Sequence, residues 1–252
     1  MTKLQLMVRR VNALGALDWF RQSWVLLRQQ PRLIGLCWIM YLISFAPVLI
    51  HPALAVLANF LNVFLLAGFY QLIANGLAQR PVQAEDLWLA FKQPVLRAVL
   101  LRLAAVSVLL AIPVQLAAEP VLTALQSGIQ QGGGASGIAL SELLLAVSLH
   151  FVHTMMFAYA VPVVYFLQQV RIWPALMASF SACWRNVSAL GLYGMLAVLL
   201  LATGPLTLLL SFVLVLPLLS VSFFMSFRDI FVLTPQTPEQ DNSGPQDGTF
   251  EV

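Results

Sequence analysis

IWPALMASFSACWRNV (residues 172–187) runs directly into SALGLYGMLAVLLLATGPLTLLLSFVLVLPLLSVSFFMSF (residues 188–227), and the reading of this stretch decides the fold. Leu176, Phe180, Cys183, Trp184 and Val187 fall at i, i+4, i+7, i+8 and i+11, which is one stripe of a helix. The apolar stretch behind them is divided once, at Thr203-Gly204-Pro205, which predicts a hairpin of two spanning helices. The unit is therefore a surface helix followed by a membrane hairpin.

Composition agrees with that reading. Of 252 residues, 60% are hydrophobic and 9% charged, and the mean hydropathy is +0.88. A soluble domain carries about 25% charged residues, because its surface faces water. A chain this poor in charge has hydrocarbon as its main solvent. The first apolar run starts near Leu33, behind a basic segment and with no small-residue cleavage site after it, so the first span is expected to stay. Cys37 and Cys183 suggest neither a disulfide framework nor a metal site, and no cofactor is expected.

The same unit recurs twice upstream. Residues 1–32 form a cytoplasmic N-terminal segment in which Leu17, Phe20, Trp24 and Leu27 recur at helical spacing. Asp18, Arg21, Gln22 and Gln29 point elsewhere, so this helix suits the headgroup boundary, with Trp24 and Arg28 among its lipid contacts. The second surface segment, EDLWLAFK (85–92), places two acids in its first turn and carries Trp88. Trp184 and Arg185 are the matching lipid contacts of the third.

Six spans are expected, at about residues 33–50, 53–74, 98–118, 143–167, 187–203 and 206–227, within a membrane domain of residues 33–232. Arg102 snorkels back to the interface. Residues 119–142, with a Gly-rich core, read as a flexible external loop, and residues 233–252 as a disordered cytoplasmic tail. The fold class is all-α and polytopic, with three hairpins, each preceded by a cytoplasmic amphipathic interfacial helix.

Trp24–Pro47, Trp88–Pro113 and Trp184–Pro205 are similarly spaced, and Pro162 and Pro217 occupy like positions in the second helices, where the first unit has Gly68. A triplicated unit is the reading, with chance apolar similarity as its rival. All 13 Lys and Arg residues fall on one side of a six-span layout. Positive residues are retained in the cytoplasm, so both termini are expected there. The repeats run parallel, unlike inverted-repeat transporter designs.

Within the spans, His150 and His153 share a face with Glu142, and Asn59, Asn62, Gln71 and Asn75 mark one side of the second span. Ionisable groups at depth invite a proton relay or ligand contact. Neutral imidazoles and amides bridging neighbouring helices are the other reading. Gly191 and Gly194 are read as sites of close helix packing. The His-x-x-His spacing lacks the partners of a zinc site, and no phosphate loop, nucleophile elbow or paired catalytic carboxylates can be found.

The strings GFYQLIANGLAQRPVQAEDLWLAFKQP (68–94), PALMASFSACWRNVSALGLYG (174–194) and SFFMSFRDIF (222–231) resemble recurring blocks of small six-span bacterial inner-membrane proteins of unknown function. More distantly, they are similar to the membrane domain attached to some glycerophosphodiester phosphodiesterases. The resemblance covers about residues 15–232. It implies a bacterial inner-membrane location and supplies no catalytic residues. The functional expectation is a non-enzymatic accessory role, binding or organising a membrane protein partner or lipids, without nucleic acid. The alternative is a small transporter with a polar path near His150, His153, Asn59 and Asn62.

Overall fold

The computed structural model describes residues 4–130 and 139–235. Strand β1 (Leu4–Val8) leads to α1 (Gly15–Gln29), α2 (Arg32–Ile50) and α3 (Ala55–Leu77). A 3-10 turn (Ala84–Trp88) and the single turn α4 (Leu89–Lys92) precede α5 (Pro94–Gln130). Then come α6 (Leu140–Phe157), α7 (Ala160–Phe166), α8 (Ile172–Arg185), α9 (Val187–Leu201), α10 (Thr203–Leu206), α11 (Phe212–Ile230) and strand β2 (Phe231–Pro235).

Six stretches are long and apolar enough to cross a membrane: Arg32–Ile50, Pro52–Leu77, Pro94–Gly128, Leu140–Phe166, Val187–Leu206 and Phe212–Ile230. The protein is an all-α, multi-pass membrane protein. Its strands, among the described residues, form one antiparallel pair, β1 with β2, in the register Val8↔Phe231 and Met7↔Val232.

Several boundaries differ from the sequence reading. α5 continues through Pro113 and Pro120 to Gln130, so the first half of the expected loop 119–142 is helical. Residues 121–127 contain no Gly or Pro, and a proline interrupts a helix by one hydrogen bond rather than ending it when the next turn is favourable. The Gly-rich core of that loop lies outside the described residues. The fourth span breaks at Ala158–Tyr159, between α6 and α7. Pro162 has no N–H to give the Ala158 carbonyl, and the Ser179 hydroxyl of α8 inserts at the break. That hydroxyl donates to the Met155 carbonyl (2.8 Å) and accepts from the Tyr159 N–H (2.9 Å), two groups that would otherwise bond each other.

The expected tight turn at 203–205 is instead α10 plus an irregular stretch, in which Leu208 and Leu209 adopt positive φ of 50° and 69°. The sixth span consequently starts at Phe212 rather than Leu206. The second surface segment is a 3-10 turn and one helical turn rather than a continuous helix, because Pro94 follows so closely. The tail begins as strand β2, and the rest of it, from residue 236, is outside the described residues.

The arrangement is cyclic. The turn Ala84–Trp88 packs on the second span, which precedes it, and α8 packs on α6 and α7 of the fourth span. α1 has no preceding span, yet it packs on α11, the last one. The pairing of β1 with β2 supplies the link that the chain makes covalently at the other two positions. Three units thus close into a ring, and the second and sixth spans lie deep in it, with 44% and 50% of their apolar windows buried, against 17% for the fifth. Tyr70 of α3 and Phe166 of α7 both pack on Phe224 of α11, at ring-centroid separations of 5.2 and 5.5 Å.

Close packing of the second turn depends on Gly68. A Cβ there would overlap the Leu87 carbonyl, so only glycine lets the Ala84–Trp88 backbone rest on α3. Gly191 and Gly194, expected to be sites of close helix packing, are not. A Cβ at either meets nothing within 4 Å, and their face of α9 is open.

Candidate functional site

The polar residues expected within the spans separate into two groups. Asn59 of α3 donates to the Ala104 carbonyl of α5 (3.3 Å) and accepts from the Ser107 hydroxyl (3.4 Å). The Ser107 carbonyl lies 3.4 Å from His153 Nε2, and His153 packs on Phe157 at 4.7 Å between ring centroids. The second, third and fourth spans are therefore tied by one short polar chain through Asn59, Ser107 and His153. His150 and Asn62 do not join it. His150 is exposed and lines an apolar groove with Val114, Ala118 and Phe151, and Asn62 is half-buried. Gln71 and Asn75 serve the second surface turn instead: Gln71 donates to Asn75 (3.0 Å), which donates to Asp86 (2.9 Å).

A larger polar set escaped the sequence reading. α11 carries Ser220, Ser222 and Ser226, and each meets a tyrosine from a different span. Ser220 pairs with Tyr41 at 2.8 Å, Ser222 with Tyr193 at 3.4 Å, and Ser226 with Tyr159 at 2.7 Å. Pro217 frees the Val213 carbonyl, four residues earlier, and the Trp38 indole donates to it at 3.1 Å. These bonds join α11 to the first, fourth and fifth spans. Among the described residues, Ser44 Oγ alone is a buried side-chain polar atom without a partner.

At the end of the bundle that carries the basic residues, each surface element has two apolar faces. α1 buries Ala16, Trp19, Ser23, Leu26 and Leu27 against the protein, a face that shares only Leu27 with the boundary stripe read from the sequence. Trp24 stays 45% exposed. α8 buries Ala175, Leu176, Ser179, Ala182 and Cys183, while Trp173 and Trp184 are exposed. The second element buries Leu87 and Ala90 and exposes Trp88. In all three, the outward tryptophan directly follows a buried residue (Ser23, Leu87, Cys183). Arg28 and Arg185 are exposed at the last turns of α1 and α8. Burial pushes the Cys183 thiol up to about 12.

The ring also creates three like junctions, where the start of an odd-numbered span faces the loop ahead of the next surface element. In the third, buried Asn186 laces the junction shut. Its Oδ1 accepts from the Val11 N–H (2.7 Å) and its Nδ2 donates to the Arg9 carbonyl (3.0 Å). Beside it, Asp229 accepts from Trp19 Nε1 (3.2 Å) and pairs with Arg9 (3.7 Å). The second junction is a groove between Gln93, Leu96 and Val99 on one wall and Gln168 and Gln169 on the other. The first is a groove between Arg32, Gly35 and Ile39 on one wall and, on the other, Gln83 of the loop and Glu85 at the start of the second surface turn.

No group of His, Cys, Asp and Glu that could hold a metal occurs among the described residues. No protein-family model, curated protein or solved structure matches the chain. Fold and polar geometry therefore define the class, a multi-pass helical membrane protein with three surface elements at one end.

Proposed function

We propose that this is a non-enzymatic accessory protein of the bacterial inner membrane, with both termini in the cytoplasm, that binds or organises a membrane protein partner or lipids. The observation that carries the reading is the two-faced build of the three surface elements. Each is anchored to the bundle by a buried face of mostly small and apolar residues and turns a tryptophan outward beside basic residues. Aromatic and basic side chains in that combination suit the boundary between headgroups and acyl chains. That all 13 Lys and Arg residues fall on one side of the six-span layout supports a cytoplasmic basic end.

Polar groups in the spans support the same reading. Asn59, Ser107 and His153 bond one another's helices, as do the serines of α11, and interhelical hydrogen bonds of this kind hold bundles together. The transport reading rests on that same Asn59–Ser107–His153 chain, taken as part of a path. Native mass spectrometry after gentle extraction from the source membrane tests the proposal. A protein or lipid held at fixed stoichiometry is the expected result. Its absence, together with a solute flux lost in His153→Ala but not in His150→Ala, would replace the accessory reading with transport.

A further inference from the structure

The three junctions of the ring are alike in position and unlike in chemistry, and this difference singles out the first. The third is closed by the Asn186 amide, and the second is walled by neutral glutamines. The first alone is lined by a cation and an anion that are not held in an ion pair, Arg32 and Glu85. Both side chains are exposed, and neither is in the ion pair Arg9–Asp229, the one salt bridge among the described residues. Two opposite charges that share a groove without neutralising each other are matched to a ligand carrying both signs.

The groove has a direction as well as a charge pattern. Arg32 is the first residue of α2, and everything after it in that helix is uncharged, so Arg32 marks the boundary of the hydrocarbon. Gly35 lies about one turn further along α2 and Ile39 about one turn beyond that. A Cβ at Gly35 would meet nothing within 4 Å, and Ile39 is 44% exposed. The floor of the groove is thus an open apolar track descending from a head that carries both charges, unpaired. Its polarity runs in the order of a phospholipid's: charged headgroup at the top, acyl chain below.

We propose that the first junction binds a phospholipid whose headgroup carries a primary ammonium. Arg32 takes the phosphate, Glu85 takes the ammonium, and an acyl chain lies along Gly35 and Ile39. Glu85 discriminates, because a primary ammonium has N–H donors to give a carboxylate, whereas a quaternary trimethylammonium has none. Arg32 recognises the phosphate common to all phospholipids. The inference rests on the placement of the basic end among lipid headgroups.

The test is native mass spectrometry of the full-length, delipidated protein. It is given equimolar phosphatidylethanolamine, phosphatidylcholine and phosphatidylglycerol with identical acyl chains. The wild-type protein is expected to carry phosphatidylethanolamine several-fold over the other two. Glu85→Gln should reduce it to the phosphatidylcholine level, and Arg32→Gln should weaken all three. Gln93→Ala with Gln168→Ala, in the neutral junction, should leave the preference intact. All the substituted side chains are exposed, and thermal melts in detergent confirm that the variants fold. Equal occupancy of the three lipids in the wild type, or a preference that survives Glu85→Gln, overturns the proposal while leaving the accessory reading in place. A wild type that retains no phospholipid at all would instead count against placing the basic end at the headgroups.

Discussion

Asn186 shows how one side chain can serve a whole assembly. Its amide reads a backbone donor and a backbone acceptor from the N-terminal segment and a carbonyl of its own helix, so every hydrogen bond it makes is to main chain. Asn186→Ala leaves the Val11 N–H unpaired in a buried setting, at a cost of about 1–3 kcal/mol. A clearly lower melting temperature in detergent is expected, with Asn186→Asp intermediate, since it keeps the acceptor. A melting temperature equal to wild type would mean the junction is held elsewhere. Asn186 lies inside a block quoted from the sequence (174–194), but its partners were not legible there, because Arg9 and Val11 lie at the far end of the chain. The same limit hid the serines of α11. A serine in an apolar run has no periodicity that points to a tyrosine on another helix. His153 and Asn59 were legible as polar residues at depth, and His150 looked equivalent to His153 because spacing says nothing about which neighbour lies opposite.

At the scale of the element, hydrophobic length located all six spans, and proline was the unreliable guide. Pro113 and Pro120 sit inside one helix, whereas Pro162 accompanies a real break. The difference is Ser179, which gives the Met155 and Tyr159 backbone groups a substitute partner. The stripe read in α1 contains its outward residues Leu17 and Trp24, and the buried face beside it went unread because a periodicity count cannot tell a face against protein from a face against lipid. Trp19, fully buried, belongs to the first, and Trp24 to the second. Gly68 makes a sharp prediction for the second element. Gly68→Ala forces the Leu87 backbone away from α3 and is expected to destabilise by about 1–3 kcal/mol or more. Gly191→Ala, with open space around it, is expected to be neutral or slightly stabilising in the same melt, as alanine is the better helix former by about 1 kcal/mol. Equal losses in the two variants would contradict the packing described for both.

The molecule as a whole is a ring of three units whose seam is β1 with β2. The tryptophan and proline spacings had suggested three units in sequence. Closure was not legible there, because it depends on α1 docking on α11 and on a strand pair formed by opposite ends of the described chain. Cysteines at Met7 and Val232, directly opposite in the register, are expected to form a disulfide on mild oxidation, and Met7→Cys with a cysteine at Gly35 should not. Failure of the first pair in folded protein would open the ring. The functional account rests on which way that ring faces. The direct measurement is labelling of intact cells with an impermeant maleimide, comparing Gly133→Cys with Arg185→Cys. Cys37 and Cys183 are buried, and the raised Cys183 thiol leaves little thiolate at neutral pH, so the native cysteines are silent. The account predicts that Gly133→Cys reacts from outside and Arg185→Cys reacts only after lysis. The reverse pattern would place the basic end and its exposed tryptophans outside the cell, and would contradict it.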